Sequence, residues 1–456
     1  MKINISPKGV PLRVFIAGVI TTAAACQAST SLFTAGDLVV NTYGILSGYV
    51  APGALTPINL IEYSPTGGAA VLTYTLPTAD GVAGAANVGV VGQYDSNSEG
   101  NIQLSADGSY LTLAGYSATA AAAGIQKSTN TANGTNYPAG TAYSFSTVAV
   151  AQSTDTDVPR VVAFVDPNGN VNSSTLLNDV YSTNNPRAVY SASPSTFYIS
   201  GQGDGNTTDQ GVYFAQTGMN TVAHPSPAPA GIYNAHETRT VSIYNNNLYY
   251  SIDTSSGKYT GIWKFNGTPT GPATATRIIP ANNGLTGASL VSYSPEAFYF
   301  ANPTTLYVAD TGLPKFGGVG DGGIQKWVFS GSSWTLAYTL IPSANFSNQY
   351  GFQDLTGEVV GSGATAQVTL FGVSNGNYGE APNGLFSITD SLAASSAAGE
   401  SFTLLESSAG GGGLNFKGVA FAPVAIPEPT SLAVITASGA SLLLRRNQRH
   451  KKRTPF

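Results

Sequence analysis

Between Thr196 and Leu405 one pattern recurs four times: a short aromatic or β-branched run, then a glycine that opens a second apolar run. Thr196-Phe-Tyr-Ile-Ser200 is followed by Gly211-Val-Tyr-Phe214. Asn247-Leu-Tyr-Tyr-Ser-Ile-Asp253 is followed by Gly261-Ile-Trp-Lys-Phe-Asn-Gly267 and Ala275–Ile279. Thr305–Gly312 precedes Gly323–Gly331 and Trp334–Leu340, and Val368–Val373 precedes Gly384–Thr389 and Phe402–Leu405. The spacing is roughly 45–60 residues with about four short strands per unit, the signature of a β-propeller blade. A blade buries both faces against its neighbours, so aromatic and β-branched residues are needed on both sides of each strand. The glycine before the third strand suits a tight turn with positive φ.

The period predicts an all-β body over 33–423 with six blades, centred near 37–76, 101–180, 187–224, 239–279, 296–341 and 356–406. The second is stretched around Ala118–Pro138 and has room for two, which would make seven; a stack of β-sandwiches is the other all-β arrangement. Phe416–Phe421 reads as an inner strand with no blade after it, and Asp37–Val40 as a strand with none before it. Their pairing would close the ring with strands from both termini. Leu104-Ser-Ala-Asp-Gly-Ser-Tyr-Leu-Thr-Leu113 is an Asp-Gly hairpin. It resembles a generic blade motif of bacterial propellers, lactonase-like and NHL-like ones among them.

Only 9% of residues are charged, against about a quarter in an average soluble domain. The net charge of −5 hides an asymmetry. Setting aside the cationic first 28 and last 31 residues leaves 10 basic and 23 acidic residues in the body. That balance disfavours nucleic acid as a partner, because phosphate binding needs clustered cations. Cys26 is the single cysteine, so no internal disulfide forms.

Residues 1–28 read as a signal peptide: Lys2, Lys8 and Arg13, an apolar run Val14–Ala25, and Cys26-Gln27-Ala28 at the cleavage position. Ala23-Ala24-Ala25-Cys26 is also a poor lipobox, whose use would leave Cys26 lipidated. Residues 426–456 combine Pro427-Glu428-Pro429, an apolar run Ser431–Leu444, and a basic end beginning Arg445-Arg446. The apolar run spans roughly 20 Å as a helix, or roughly 28 Å counted from Ile426, against a hydrocarbon core of about 30 Å. The basic residues assign that end to the cytoplasm. This order resembles the PEP-CTERM sorting signal of bacterial envelope proteins, also known as an ice-binding-protein C-terminal domain. The resemblance implies a single C-terminal transmembrane helix, processing by an exosortase-type enzyme near Pro427-Glu428-Pro429, and association with exopolysaccharide or the extracellular matrix.

Catalytic motifs are sparse. His224 and His236 are the only histidines before the tail, and no Gly-x-Ser-x-Gly occurs. Residues opening the inner strands should face the central channel: Asn101, Arg187, Arg239, Glu296, Glu358 and Lys417. Such a ring either binds an anionic or sugar ligand or pairs with itself to fix blade register. Asp166, Asn168 and Asn170, and Asp204, Asn206 and Asp209, place oxygens at calcium-like spacing, although Asx-Gly turns explain both without metal. Trp263, Trp327 and Trp334 read as core between blades rather than a carbohydrate platform. No other cofactor is implied. The sequence thus reads as an exported, envelope-anchored, non-catalytic propeller; the alternative is a lactonase-like propeller hydrolase or lyase.

Overall fold

The computed structural model describes residues 31–47, 49–50, 55–82, 84–119, 126–127, 141–142, 150–204, 209–220, 237–254, 259–280, 294–312, 322–342, 350–379 and 381–426. The leader, the tail from Pro427 onward, His224, His236 and Asn206 lie outside these residues. Among the described residues no helix is long and apolar enough to cross a membrane.

The body is all-β and propeller-like. Its first strands are β1 (Leu38–Tyr43), β2 (Leu55–Tyr63), β3 (Leu72–Thr75), β4 (Val90–Gln93), β5 (Gln103–Leu104) and β6 (Leu111–Ser117). A two-residue pair, β7 (Gln126–Lys127) and β8 (Thr141–Ala142), stands apart, and β9 (Arg160–Val165) and β10 (Val171–Leu177) follow. Three strands form the next sheet: β11 (Pro186–Ser193), β12 (Thr196–Gly201) and β13 (Gly211–Gln216). A four-stranded sheet holds β14 (Thr238–Tyr244), β15 (Asn247–Ile252), β16 (Gly261–Phe265) and β17 (Ala275–Pro280). The next holds β18 (Pro295–Asn302), β19 (Thr305–Asp310), β20 (Gly323–Phe329) and β21 (Trp334–Leu340). The last holds β22 (Tyr350–Val360), β23 (Gln367–Asn375), β24 (Gly384–Ser391) and β25 (Thr403–Ser407), and β26 (Asn415–Phe421) ends the body.

Six separate blades do not form. Four sheets stand alone as blades, and, apart from the β7–β8 pair, the other strands make one nine-stranded sheet in the order β10-β9-β6-β4-β2-β1-β26, with β3 on β2 and β5 on β6. The cause is β4, four buried residues outside the repeat. It pairs Leu55–Pro57 on one side and Tyr116–Ser117 on the other, fusing what the period predicts as the first and second blades. Gly92 makes this approach feasible, because a Cβ there would sit 2.4 Å from the Tyr43 ring.

β1 and β26 pair antiparallel from Leu38↔Phe421 to Tyr43↔Asn415, so both ends of the body share one ladder. The repeated aromatic and β-branched residues fill the spaces between neighbouring sheets. Phe164, Phe197 and Tyr213 pack between β9 and β11–β13, while Leu370, Phe386 and Tyr307 pack between the last two blades. Burial of each such side chain contributes about 1.5–3 kcal/mol.

Two buried cations staple the ring. Arg160 is fully buried and donates to the carbonyls of Ser153 (2.8 Å), Val158 (2.6 Å), Tyr181 (2.6 Å) and Asn184 (2.9 Å). Lys326 on β20 donates to Ser391 O (2.7 Å) and Tyr338 Oη (2.9 Å) and pairs with Asp390 at 3.1 Å.

Candidate functional site at the channel mouth

Each inner strand opens with a polar residue near its start. Arg187, Arg239 and Glu296 are the second residues of β11, β14 and β18, and Lys417 is the third of β26. All four are buried, and with Asn97, Glu99, Asn101 and Gln353 they line one cavity at the channel mouth. Water centres have about 10 Å³ in it, room for roughly one water molecule. The sequence reading thus brought together five of its six channel residues. Glu358 does not join them: β22 begins at Tyr350, so Glu358 falls near its far end and is exposed. Gln353 and Asp354 take the expected place.

Arg239 is the hub. Its Nη1 lies 3.4 Å from Glu296 Oε1, and its Nη2 lies 3.5 Å from Asp253 Oδ2 and 3.8 Å from Glu237 Oε2. Arg187 uses neutral acceptors instead: Asn185 Oδ1 at 3.0 Å, Thr238 O at 3.2 Å and Gln202 Oε1 at 2.6 Å. Burial, then the adjacent Arg239 charge, lowers the pKa of Arg187. Lys417 donates to Ser96 O at 2.6 Å and lies 5.5 Å from the centre of the Tyr43 ring. Burial pushes its amine down to about 8, against the pull of Glu99.

The carboxylates shift the other way. Burial raises Glu296 well above the ordinary carboxylate range, with Arg239 opposing. Asp310, at the end of β19, is raised by burial to about 6 and accepts from Ser294 N (2.8 Å), Gly312 N (2.9 Å) and Gln325 Nε2 (2.9 Å). Asp253 is raised by burial and accepts from Ser294 Oγ at 2.8 Å. Asp354 accepts from Asn101 Nδ2 (2.6 Å), Leu355 N (2.9 Å), Val419 N (3.0 Å) and Ile102 N (3.4 Å). Among the described residues, Glu296 Oε1, Asn97 Nδ2 and Asn101 Oδ1 are buried at this cavity without a hydrogen-bond partner. The cavity has room beside them for one water or one polar group of a ligand. A whole sugar ring does not fit the cavity.

Asp253 and Asp310 escaped the sequence reading as site residues. Their signal was present, because both stand just after or at the end of the second strand of a repeat. Asp166 Oδ1 accepts from the backbone of Asn168 and Asn170, both at 2.8 Å, and its Oδ2 accepts Asn170 Nδ2 at 2.8 Å, an Asx turn. Asp209 accepts from Ser182 N at 3.0 Å and Asp204 N at 3.1 Å. Among the described residues no group of three or more His, Cys, Asp or Glu is placed to hold a metal. Trp263 and Trp327 are buried core, whereas Trp334 is only half-buried.

The sequence matches no known family and no curated protein. The fold is similar to that of the Niastella koreensis GH74 enzyme, at 15% identity and TM-score 0.37 over 82% of this chain and 47% of that one. The chain therefore spans about half the length of that enzyme. A PL25 polysaccharide lyase, an ulvan lyase, is similar at 11% identity and TM-score 0.36 over 82% of this chain and 86% of that one. The N-terminal domain of Nup159 is similar at 10% identity and TM-score 0.31 over 73% of this chain and 80% of that one. Against the expectation of a non-enzymatic body, two of these three similar structures are enzymes. The likeness assigns no substrate to this chain.

Proposed function

We propose that the body is an exported propeller hydrolase or lyase whose chemistry takes place at the channel mouth. The observation that carries this reading is Glu296: a buried carboxyl with raised proton affinity, 3.4 Å from Arg239, bordering a cavity the size of one water. Such a group stays protonated near neutral pH and can donate to a leaving oxygen. Arg187, Arg239 and Lys417 surround the spot where negative charge would develop. The cavity's size favours a substrate that presents one polar group, such as a lactone or a glycan end; a hydrolase would consume one water per bond cleaved, whereas a lyase eliminates without it. Purified protein would be screened against lactones and against neutral and acidic polysaccharides. Glu296→Gln is expected to lower turnover by about 100-fold or more with an unchanged melting temperature. Turnover should fall as pH rises and Glu296 loses its proton. Undiminished turnover in Glu296→Gln would refute the reading, as would the absence of turnover on the whole panel.

Residues 1–28 and 426–456 support the accompanying proposal of export and envelope sorting, with an exosortase-type enzyme as partner and exopolysaccharide as the surrounding material. β26 ends at Phe421 and Val424 N still bonds Gly108 O at 2.8 Å, so the sorting motif begins within a few residues of a contact to the body. Intact mass of the exported form tests this. A product ending near Pro427-Glu428-Pro429 is expected, and one ending well past Leu444 would exclude processing there.

A further inference from the structure

A second recess lies on the flank of the ring, between the β14–β17 and β18–β21 blades. It opens near Tyr244, at the end of β14 away from Arg239. Five residues of strand separate the two, about 16 Å, so this recess is distinct from the channel mouth. Its volume of about 590 Å³ lies within the usual range for small-ligand clefts.

The floor is aromatic. Tyr244 and Phe300 stack with centroids 4.4 Å apart and planes 6° apart, and Trp334 meets Phe300 edge-on at 6.1 Å. All three rings are half-buried, leaving ring surface open to the groove. The rim carries amides and hydroxyls, including Asn247, and two cations, Lys264 and Arg277. Among the described residues no carboxylate lines it. That is notable in a body with more than twice as many acidic as basic residues.

Flat half-open rings match the C–H faces of pyranose sugars, and amides and hydroxyls match their hydroxyl groups; two cations, Lys264 held 6.0 Å over the Tyr249 ring and Arg277 held 5.7 Å over the Trp263 ring, match carboxylate substituents. We propose that this groove binds a segment of a linear acidic saccharide. The inference stands apart from the channel-mouth reading, since it requires binding and no turnover.

Calorimetric titration of the full chain with oligogalacturonate, and with neutral maltohexaose of similar length, tests it. Oligogalacturonate is expected to bind, and to bind at least tenfold more tightly than maltohexaose, with affinity falling as salt rises. Trp334→Ala is expected to weaken binding by about tenfold or more. The double variant Lys264→Gln/Arg277→Gln should abolish the preference for acid and the salt dependence while leaving the fold, read by circular dichroism, unchanged. Glu296→Gln should bind as wild type does, which separates failure here from failure at the channel mouth. No binding of oligogalacturonate, equal affinity for both sugars, or wild-type affinity in the double variant would overturn the proposal. So would self-association of the chain that Trp334→Ala removes, because a second copy would then be the occupant.

Discussion

Asp354 offers a sharp test of how burial and hydrogen bonding compete at the ring closure. Burial pushes its carboxyl from 3.8 up to about 8, while its N–H donors from β22, β26 and the approach to β5 pull it down. An acid with a higher pKa folded than unfolded binds its proton more tightly in the native state. Its contribution is complete below about pH 4 and is lost as pH rises toward 8. Between pH 5 and 7 the native state holds nearly one proton more at this site than the unfolded state. Unfolding free energy therefore falls by about 1.4 kcal/mol per pH unit, about 3 kcal/mol across the interval. Asparagine has the shape of the protonated acid and no such slope. Urea unfolding of wild type and Asp354→Asn at pH 5, 6 and 7, followed by tryptophan fluorescence, isolates this carboxyl from other buried acids such as Asp310. The stability advantage of wild type should shrink by about 3 kcal/mol from pH 5 to 7. An advantage that grows with pH would show that the N–H donors hold the carboxylate ionised. A constant advantage would equally refute the dominance of burial.

Three further outcomes follow from packing at named positions. Gly418→Ala would place a Cβ 2.5 Å from both Asp354 Oδ2 and Gly100 O; a loss of about 1–3 kcal/mol is expected, read as a lowered melting temperature. Lys326→Met strands the buried Asp390 carboxylate and should cost about 3–5 kcal/mol in urea unfolding; a cost below about 1 kcal/mol would show the pair to be dispensable. Arg160→Lys keeps the charge but cannot reach all the carbonyls that Arg160 bonds, so buried acceptors lose partners at about 1–3 kcal/mol each, measurable by the same unfolding curves.

The strands were readable because a blade is covered on both faces, so nearly every position of β12, β15, β19 and β23 carries a buried residue. The terminal pairing was readable too, since Phe416–Phe421 and Asp37–Val40 were each a strand short of a blade. β4 was not: Val90–Gln93 is brief, and its fusion of two blades depends on glycine at 92 and on Tyr43 beneath it, contacts between segments far apart in the chain. At the site, Arg187, Arg239 and Glu296 were legible because each opens an inner strand. Glu358 was misplaced because β22 is longer than the repeat and starts several residues earlier than its alignment suggests. Partner geometry, such as the convergence of Asp253, Glu237 and Glu296 on one guanidinium, depends on burial and distance rather than spacing.

The ladder between β1 and β26 also sets how the molecule bears a pull. Leu38 faces Phe421, so the chain enters and leaves at the same end of this antiparallel pair. Tension between the segments before Leu38 and after Phe421 would load the hydrogen bonds one at a time, as a zipper, rather than all together in shear. A body tethered through one end alone puts no stress on that seam. A body gripped at both ends would part first at Leu38 and Phe421, before any blade unravels.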